Sequence, residues 1–132
     1  MSEKIPVSKV LVENSSGKFL SVREKKSGKW ELPGGKIEDK EDRFQASRRE
    51  LKEEVNLEIS SVEDVVRVEV EDEKCVNCWI MHTSEFSGDV ELDRSELSDF
   101  RLVSGSEYLE LDWHADAGYA IPAIRFLNQY LD

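Results

Sequence analysis

The sequence is poor in basic residues relative to acidic ones. Its 132 residues carry 18 Lys and Arg against 29 Asp and Glu, which gives a formal net charge of −11 at pH 7. A surface of that sign disfavours nonspecific binding to nucleic acid or to an anionic membrane, because both are themselves negatively charged. The same charge would repel a polyphosphate unless a metal cation bridged the two.

Long apolar runs are also missing. The first segment, MSEKIPVSKV, contains no apolar run long enough for a signal peptide, and no later stretch approaches the length of a membrane span. We therefore expect a cytoplasmic protein that has no membrane partner. A chain of this length fits one domain, and we expect residues 1–132 to form it.

Cysteine is scarce, and the two present form a single C-x-x-C at Cys75 and Cys78. A zinc or redox site would need a second ligand pair, or a helix beginning after the first cysteine. The pair leads instead into a strand-like segment, in which an odd separation places the two sulfurs on opposite faces. The same geometry argues against His82 as a third ligand, so we expect structural or incidental cysteines.

Alternating apolar residues predict several strands and two substantial helices. Residues 5–13 and 18–23 are expected to form two strands joined as a hairpin across the turn Asn14–Gly17. Further along, we expect paired strands at 62–71 and 75–86, a short strand at 100–103, a brief helix at 107–111 capped by Ser104 or Ser106, and a last helix at 122–131. This order predicts a layered α/β domain.

The most specific stretch is residues 30–57, WELPGGKIEDKEDRFQASRRELKEEVNL. Gly34 and Gly35 allow positive φ and a close approach of backbone to a ligand. Asp39 is the expected N-cap of the helix that follows, with Glu41 and Asp42 in its first turn. An apolar stripe, spanning about 40° of the helix at 100° per residue, is formed by Phe44, Leu51 and Val55.

Three carboxylates project from another side of the same helix. Glu50, Glu53 and Glu54 cover an arc of about 100° within a turn and a half. Like charges at this spacing repel one another, so they require either bulk solvent or a cation. Carboxylate oxygens, together with substrate phosphates, are the ligands that Mg²⁺ prefers. The structural alternative is a solvated acidic helix face.

This stretch resembles the box of the Nudix hydrolases, in particular their MutT-like members. The box reads Gly, five residues, Glu, seven residues, Arg-Glu, a bulky apolar residue, any residue, Glu-Glu, any residue, Gly and a bulky apolar residue. Gly35, Glu41 and the run from Arg49 to Leu57 match it at every position except Asn56, where the family has Gly. Asn is well tolerated in the left-handed conformation at a helix C-terminus, so the departure is mild.

The resemblance implies a Nudix fold, a mixed β-sheet sandwiched between α-helices, and a hydrolase that cleaves a diphosphate linkage in a nucleotide. Glu50, Glu53 and Glu54 match the family's metal-binding carboxylates, and Gly34 matches the residue whose carbonyl often completes the coordination. The implied cofactor is Mg²⁺, with Mn²⁺ as an alternative. Such an ion neutralises phosphate oxygens and lowers the pKa of bound water.

The catalytic roles follow the same resemblance. Arg49 matches the residue that pairs with and orients a catalytic glutamate. Glu53 is our first choice of general base, and Glu96 is the candidate on a later loop, with a surface carboxylate as its alternative. Glu41 either steadies the loop and the helix start or reaches a second metal. Arg23, or a lysine near it, is the candidate contact to substrate phosphate, with a solvated loop as the alternative.

The substrate lies outside the box. The expected reaction converts a nucleoside triphosphate into its monophosphate and pyrophosphate, because markers of the ADP-ribose and dinucleoside polyphosphate branches are absent and the segment SSGKFL looks like the triphosphate branch. The alternatives are hydrolysis of a nucleoside diphosphate derivative, such as ADP-ribose, a nucleotide sugar or a dinucleoside polyphosphate, and a non-catalytic nucleotide sensor. An acidic metal-binding or interaction domain is a third class. The partner is a small nucleotide, and the protein is a monomer or a homodimer.

Overall fold

The computed structural model describes residues 5–70 and 76–110. In chain order the elements are β1 (Ile5–Val12), β2 (Phe19–Glu24), β3 (Trp30–Glu31), β4 (Gly34–Lys36), α1 (Arg43–Val55), β5 (Glu58–Val70), β6 (Val76–Ser87), β7 (Leu97–Val103) and α2 (Gly105–Glu110). They form a four-stranded sheet in the order β4-β1-β6-β5 and a three-stranded sheet in the order β3-β2-β7. The α/β class expected from the sequence is confirmed.

The four-stranded sheet is mixed. β1 runs parallel to β6, from the pair Ile5 and Val76 onward, and antiparallel to β4, where Lys9 lies opposite Gly34. β5 and β6 are antiparallel neighbours, with three register shifts along β5. The predicted pairing of residues 62–71 with 75–86 is therefore confirmed. The short glycine strand β4 lies at the edge of this sheet, and its pairing with β1 joins it to the central strands.

The predicted hairpin between the first two strands is wrong. β2 pairs with β3 and β7 in the other sheet, and between β1 and β2 the described residues form a single bridge, Glu13 with Phe19. The physical reason is burial, because every residue of β1 from Val7 to Val12 is buried. A strand covered on both faces is typical of the interior of a sheet with parallel pairing, and β1 takes β6 as its neighbour.

Helix α1 covers the core. Leu51 and Val55 are fully buried against residues of both sheets, and Phe44 packs partly buried at the edge of the cluster. The predicted N-cap at Asp39 is wrong, because the cap is Asp42, whose side chain accepts from the N–H of Gln45. The Gln45 side chain in turn accepts from the Asp42 N–H, which makes a capping box.

The C-terminal end of α1 agrees with the sequence. Asn56 is left-handed, with φ of 63°, and its N–H bonds the carbonyls of Leu51 and Lys52. The brief helix α2 begins after Ser104, whose hydroxyl accepts from the N–H of Glu107 at 3.3 Å. The predicted last helix at 122–131 lies outside the described residues.

Two further expectations concern the described part of the chain. Cys78 is a buried free thiol, as expected of a structural cysteine, whereas Cys75 lies outside the described residues. Burial raises the pKa of the Cys78 thiol to about 12. Neither of the helices seen in residues 5–70 and 76–110 is long and apolar enough to cross a bilayer.

Candidate active site

The site is built where the glycine strand β4 passes under helix α1. Gly34 has φ of +138°, and a Cβ there would collide with the backbone carbonyl of Ser8 in β1. A Cβ on Gly35 would lie 2.6 Å from the Glu50 carboxylate oxygen Oε1. Only residues without a side chain allow the backbone to approach both β1 and α1 this closely.

Arg49 gathers the carboxylates of the site. Its guanidinium donates to Glu41 at 2.6 Å, to Glu50 at 3.0 Å and to Glu53 at 3.2 Å. It also donates to the Lys36 carbonyl at 2.9 Å, which ties α1 to β4. The hydrogen bond from Arg49 lowers the pKa of Glu41, and the carboxylates raise the pKa of Arg49. One guanidinium therefore fixes three acids from two segments.

Glu41 acts on the loop that leads into α1. Besides its pairing with Arg49, its carboxylate accepts from the Glu38 N–H at 2.8 Å. These contacts correspond to the expected role of steadying the loop and the helix start.

Glu54 is the most buried acid of the box. It is 6% exposed, and its Oε1 accepts from the Gly34 backbone N–H at 2.8 Å. Burial raises its pKa to about 8, against the opposing effects of the Lys9 ammonium and of the Gly34 hydrogen bond. The charges of Glu50 and Glu31 raise it further. In the absence of a cation, these surroundings favour the protonated form of Glu54 at neutral pH.

Glu50 and Glu53 differ in their surroundings. Burial raises the pKa of Glu50, although Arg49 opposes the shift. The Glu53 side chain is 59% exposed and reaches solvent. Glu50, Glu53 and Glu54 line one cleft of about 360 Å³ together with Gly34 and Gly35. The structure thus brings the predicted metal ligands to one place, and their roles stay predictions.

A loop later in the chain also lines this cleft. Asp93 and Glu96 are both among its lining residues. The Asp93 N–H donates to the Glu54 carbonyl at 2.8 Å, and the Glu96 N–H donates to the Asp93 carbonyl at 3.1 Å. Glu96 is therefore brought to the cluster, as expected of an outside base. Asp93 was missed, although its turn with Ser95, in which Asp93 Oδ1 accepts from the Ser95 N–H, has a sequence signal in D-x-S.

The donor chemistry fits a divalent metal ion. Carboxylate and carbonyl oxygens are hard ligands, and the space at Gly35 is one that a Cβ would fill. Within residues 5–70 and 76–110, however, no three His, Cys, Asp or Glu side chains converge as a ligand cluster. The reason is that Arg49 holds Glu50 and Glu53 while the Gly34 N–H holds Glu54.

A larger cavity of about 850 Å³ adjoins the cleft, and the two share the lining residues Gly34, Gly35, Lys36, Glu54 and Glu96. Its wall includes Lys9 and Glu31, which the sequence analysis missed, and three basic residues at its rim are Lys25, Lys26 and Lys36. A space of this size accommodates a nucleotide. The Glu96 carbonyl accepts from the Lys25 N–H at 2.9 Å, which joins the lysine loop to the Glu96 loop.

Arg23 is not brought to either space. Its Nε donates to the Gly28 carbonyl at 2.8 Å within its own loop, and it is absent from the residues that line the cleft and the cavity. The predicted contact of Arg23 with phosphate stays a prediction, and the nearby Lys25 and Lys26 are better placed for it.

Comparison with known proteins agrees with this geometry. An 8-oxo-dGTP diphosphatase of Proteus vulgaris is 41% identical over 54 residues, which are 39% of this chain. The match spans about half of that relative, 48% of its length.

Solved structures are similar over far more of the chain. The MutT protein of Methanosarcina mazei Go1 has a TM-score of 0.82 and 26% identity, covering 98% of each chain. The NUDIX domain of Shewanella oneidensis NrtR, solved with ADP ribose, has a TM-score of 0.79 and 16% identity, covering 100% of this chain and 91% of that one. The expected Nudix fold is thereby confirmed.

The family itself is shown by a match that extends well beyond the box. Residues 4–124 match the NUDIX domain. This range includes the glycine strand, the box helix and the loop that carries Asp93 and Glu96. The chain therefore belongs to the NUDIX domain family.

Proposed function

We propose that this protein is a Mg²⁺-dependent pyrophosphohydrolase that converts a nucleoside triphosphate and water into the nucleoside monophosphate and pyrophosphate. The observation that carries the proposal is that Glu50, Glu53 and Glu54 line one cleft beside the glycine turn. That cleft opens onto a cavity large enough for a nucleotide, with lysines at its rim. With a net charge of −11, the protein would repel a polyphosphate substrate, and a bridging cation would offset that repulsion.

The metal would be held by Glu50, Glu53, Glu54 and the Gly34 carbonyl. When bound, a divalent cation neutralises the phosphate oxygens and makes water more acidic. Mg²⁺ suits an all-oxygen donor set, and Mn²⁺ is the alternative.

Arg49 is proposed as the positioning residue of the reaction. Its bonds to Glu41, Glu50 and Glu53 hold two of the proposed ligands at fixed separation before substrate arrives. Such preorganisation is valuable in phosphoryl transfer, where positioning and electrostatic stabilisation supply most of the rate enhancement. Its bond to the Lys36 carbonyl extends that order to β4.

Glu53 is the proposed general base. It is the most exposed of the three box carboxylates and is held 3.2 Å from Arg49 Nη1, so it can accept a proton from a water that attacks phosphorus. The water oxygen forms a new P–O bond as the bridge between the α and β phosphorus breaks, and the bridging oxygen leaves with the product that the water does not attack. Glu96 lines both the cleft and the cavity and remains the alternative base.

The substrate class is supported by sequence similarity and by charge. The Proteus vulgaris relative is named for a nucleoside triphosphate substrate, although the match spans less than half of it. Lys25, Lys26 and Lys36 would meet the outer phosphates at the cavity rim. We propose that the protein acts in the cytoplasm on small nucleotides.

The experiment is a substrate panel with and without Mg²⁺. The panel contains the nucleoside triphosphates, ADP-ribose, a nucleotide sugar and a dinucleoside polyphosphate, and both phosphate and pyrophosphate release are measured. Pyrophosphate release from triphosphates that requires Mg²⁺ is the expected result. Hydrolysis of only a diphosphate derivative would show that the substrate is a nucleoside diphosphate derivative and not a triphosphate. Nucleotide binding without hydrolysis would indicate a sensor.

A further inference from the structure

A lysine is buried next to the proposed metal ligands. Lys9 lies in the middle of β1, is 5% exposed, and stands opposite Gly34 in the antiparallel pair. Its ammonium donates to the Leu32 carbonyl at 3.2 Å and to the Gly34 carbonyl at 3.4 Å. It also lies 3.8 Å from the Glu31 carboxylate. The mechanism proposed above does not use this charge.

The charge of Lys9 reaches the proposed ligands. Lys9 lines the same cavity as Gly34 and Glu54. The Gly34 carbonyl, which accepts from Lys9, is itself one of the proposed ligands. A divalent cation bound to the Gly34 carbonyl would therefore share that oxygen atom with the ammonium.

Two cations that share acceptors repel each other. In a partly buried site this repulsion is screened much less than in water. The ion would therefore bind less tightly beside the Gly34 carbonyl than it would if Lys9 were replaced by a neutral residue. A nucleotide changes the balance, because its phosphates bring negative charge and further oxygen ligands to the ion.

We propose that Lys9 is a positioning residue that competes electrostatically with the divalent cation, so that the metal binds tightly only together with the polyphosphate substrate. This inference rests on the proposed function. It assigns to Lys9 a thermodynamic coupling between metal and nucleotide binding. The metal would then arrive and leave with the nucleotide instead of remaining in the empty site.

Two variants separate the charge of Lys9 from its hydrogen bonds. Lys9→Gln removes the charge and keeps N–H donors for the Leu32 and Gly34 carbonyls, whereas Lys9→Met removes both. The matched control is Lys52→Gln, because Lys52 lies on α1, is exposed, pairs with Glu58 and is not among the residues that line the cleft. Binding of Mn²⁺ without nucleotide is measured by electron paramagnetic resonance, and circular dichroism checks folding.

We expect Lys9→Gln to bind Mn²⁺ at least about tenfold more tightly than the wild type, because a buried positive charge has been removed. Lys52→Gln should show a much smaller change. A triphosphate analogue with a methylene group between the α and β phosphorus should tighten Mn²⁺ binding strongly in the wild type and less in Lys9→Gln.

Equal or weaker Mn²⁺ binding by folded Lys9→Gln would overturn the inference. If only Lys9→Met changes Mn²⁺ binding, and binding becomes weaker, Lys9 acts through its hydrogen bonds and not through its charge. That result would also overturn the inference. If neither variant folds, the wild type alone still tests the inference. Mn²⁺ binding that is no tighter with the analogue than without it would show that metal and nucleotide binding are not coupled. Nucleotide hydrolysis by the wild type is scored separately. A wild type that hydrolyses triphosphates without this coupling refutes the inference and leaves the proposed function standing.

Discussion

The Glu54 carboxylate accepts a hydrogen bond from the Gly34 backbone N–H at 2.8 Å, and this contact joins the box helix to the glycine strand. Both residues are proposed metal ligands, so in the absence of an ion one ligand is engaged by the backbone of the other. Because Glu54 is only 6% exposed, its pKa is raised to about 8. This pair links stability, pH and metal binding.

The metal-free protein should lose stability as pH rises. A glutamate has an ordinary pKa of 4.5, whereas folded Glu54 has a pKa of about 8, so between these values the folded protein holds a proton that the unfolded chain releases. The free energy of unfolding should therefore fall by roughly 1–4 kcal/mol between about pH 5 and pH 8. The fall is measured by urea denaturation in the presence of a chelator.

Glu54→Gln isolates this contribution, because the neutral amide has no proton to lose. The variant should show a shallower decline than the wild type over the same pH window. Glu58→Gln, which changes an exposed acid just beyond α1, should keep the wild-type slope. Identical pH profiles for the wild type and Glu54→Gln would contradict the assigned proton.

Arg49→Lys should disable the site while retaining a positive charge. An ammonium cannot reproduce the separate bonds that the guanidinium donates to Glu41, Glu50 and Glu53. We expect kcat to fall by at least about 100-fold, because misplaced ligands cost catalytic positioning. Steady-state pyrophosphate release measures the effect. The control is Arg48→Lys, because Arg48 is the exposed neighbour of Arg49 on the same helix. It should retain wild-type turnover. An equal loss in Arg48→Lys would show that any Arg-to-Lys change on this helix lowers turnover.

The two glycines should fail in different ways when changed to alanine. A Cβ on Gly35 meets the end of the Glu50 side chain at 2.6 Å, which can move aside. Gly35→Ala should therefore fold but bind Mn²⁺ about tenfold more weakly, since a proposed ligand is displaced. A Cβ on Gly34 meets the Ser8 backbone, so Gly34→Ala should lose at least about 2 kcal/mol of unfolding free energy. Thermal denaturation and Mn²⁺ titration together distinguish them, and similar behaviour of the two variants would refute the close approach at Gly35.

Glu53→Gln should lower turnover by roughly 10²–10⁴-fold, because the amide cannot accept a proton from water. The fold should be unaffected, since the side chain is 59% exposed and lies outside the core. Circular dichroism and pyrophosphate release are the measurements. A parallel Glu96→Gln variant tests the alternative base, and unchanged turnover in Glu53→Gln with a large loss in Glu96→Gln would transfer the role.

Local signals accounted for the helix ends imperfectly. The left-handed residue at the C-terminus followed from Asn56 standing at the family's glycine position, and the structure has φ of 63° there. The N-cap was misplaced because several acids precede the helix and each could serve. The reciprocal bond of Gln45 to Asp42 selects one of them, and this D-x-x-Q pattern was present in the sequence.

The strand neighbours depended on distant pairing. The hairpin expected for β1 and β2 rested on the turn between them, which favours a local partner. β1 instead pairs along its whole length with β6, about 70 residues away in the chain, because both of its faces are buried inside the sheet. No short-range pattern reports such a partner.

By itself the sequence determined the family, the box helix and the set of acids on one side of that helix, because helical periodicity and fixed spacing are local properties of the chain. Only the tertiary structure decided that Arg49 donates hydrogen bonds to three acids, that Asp93 and Glu96 line the cleft, and that Lys9 lies buried against the Gly34 carbonyl. These relationships depend on which strands pair and on how closely α1 approaches β4. Burial and charge at the site arise from that packing, and no single segment of the chain contains them.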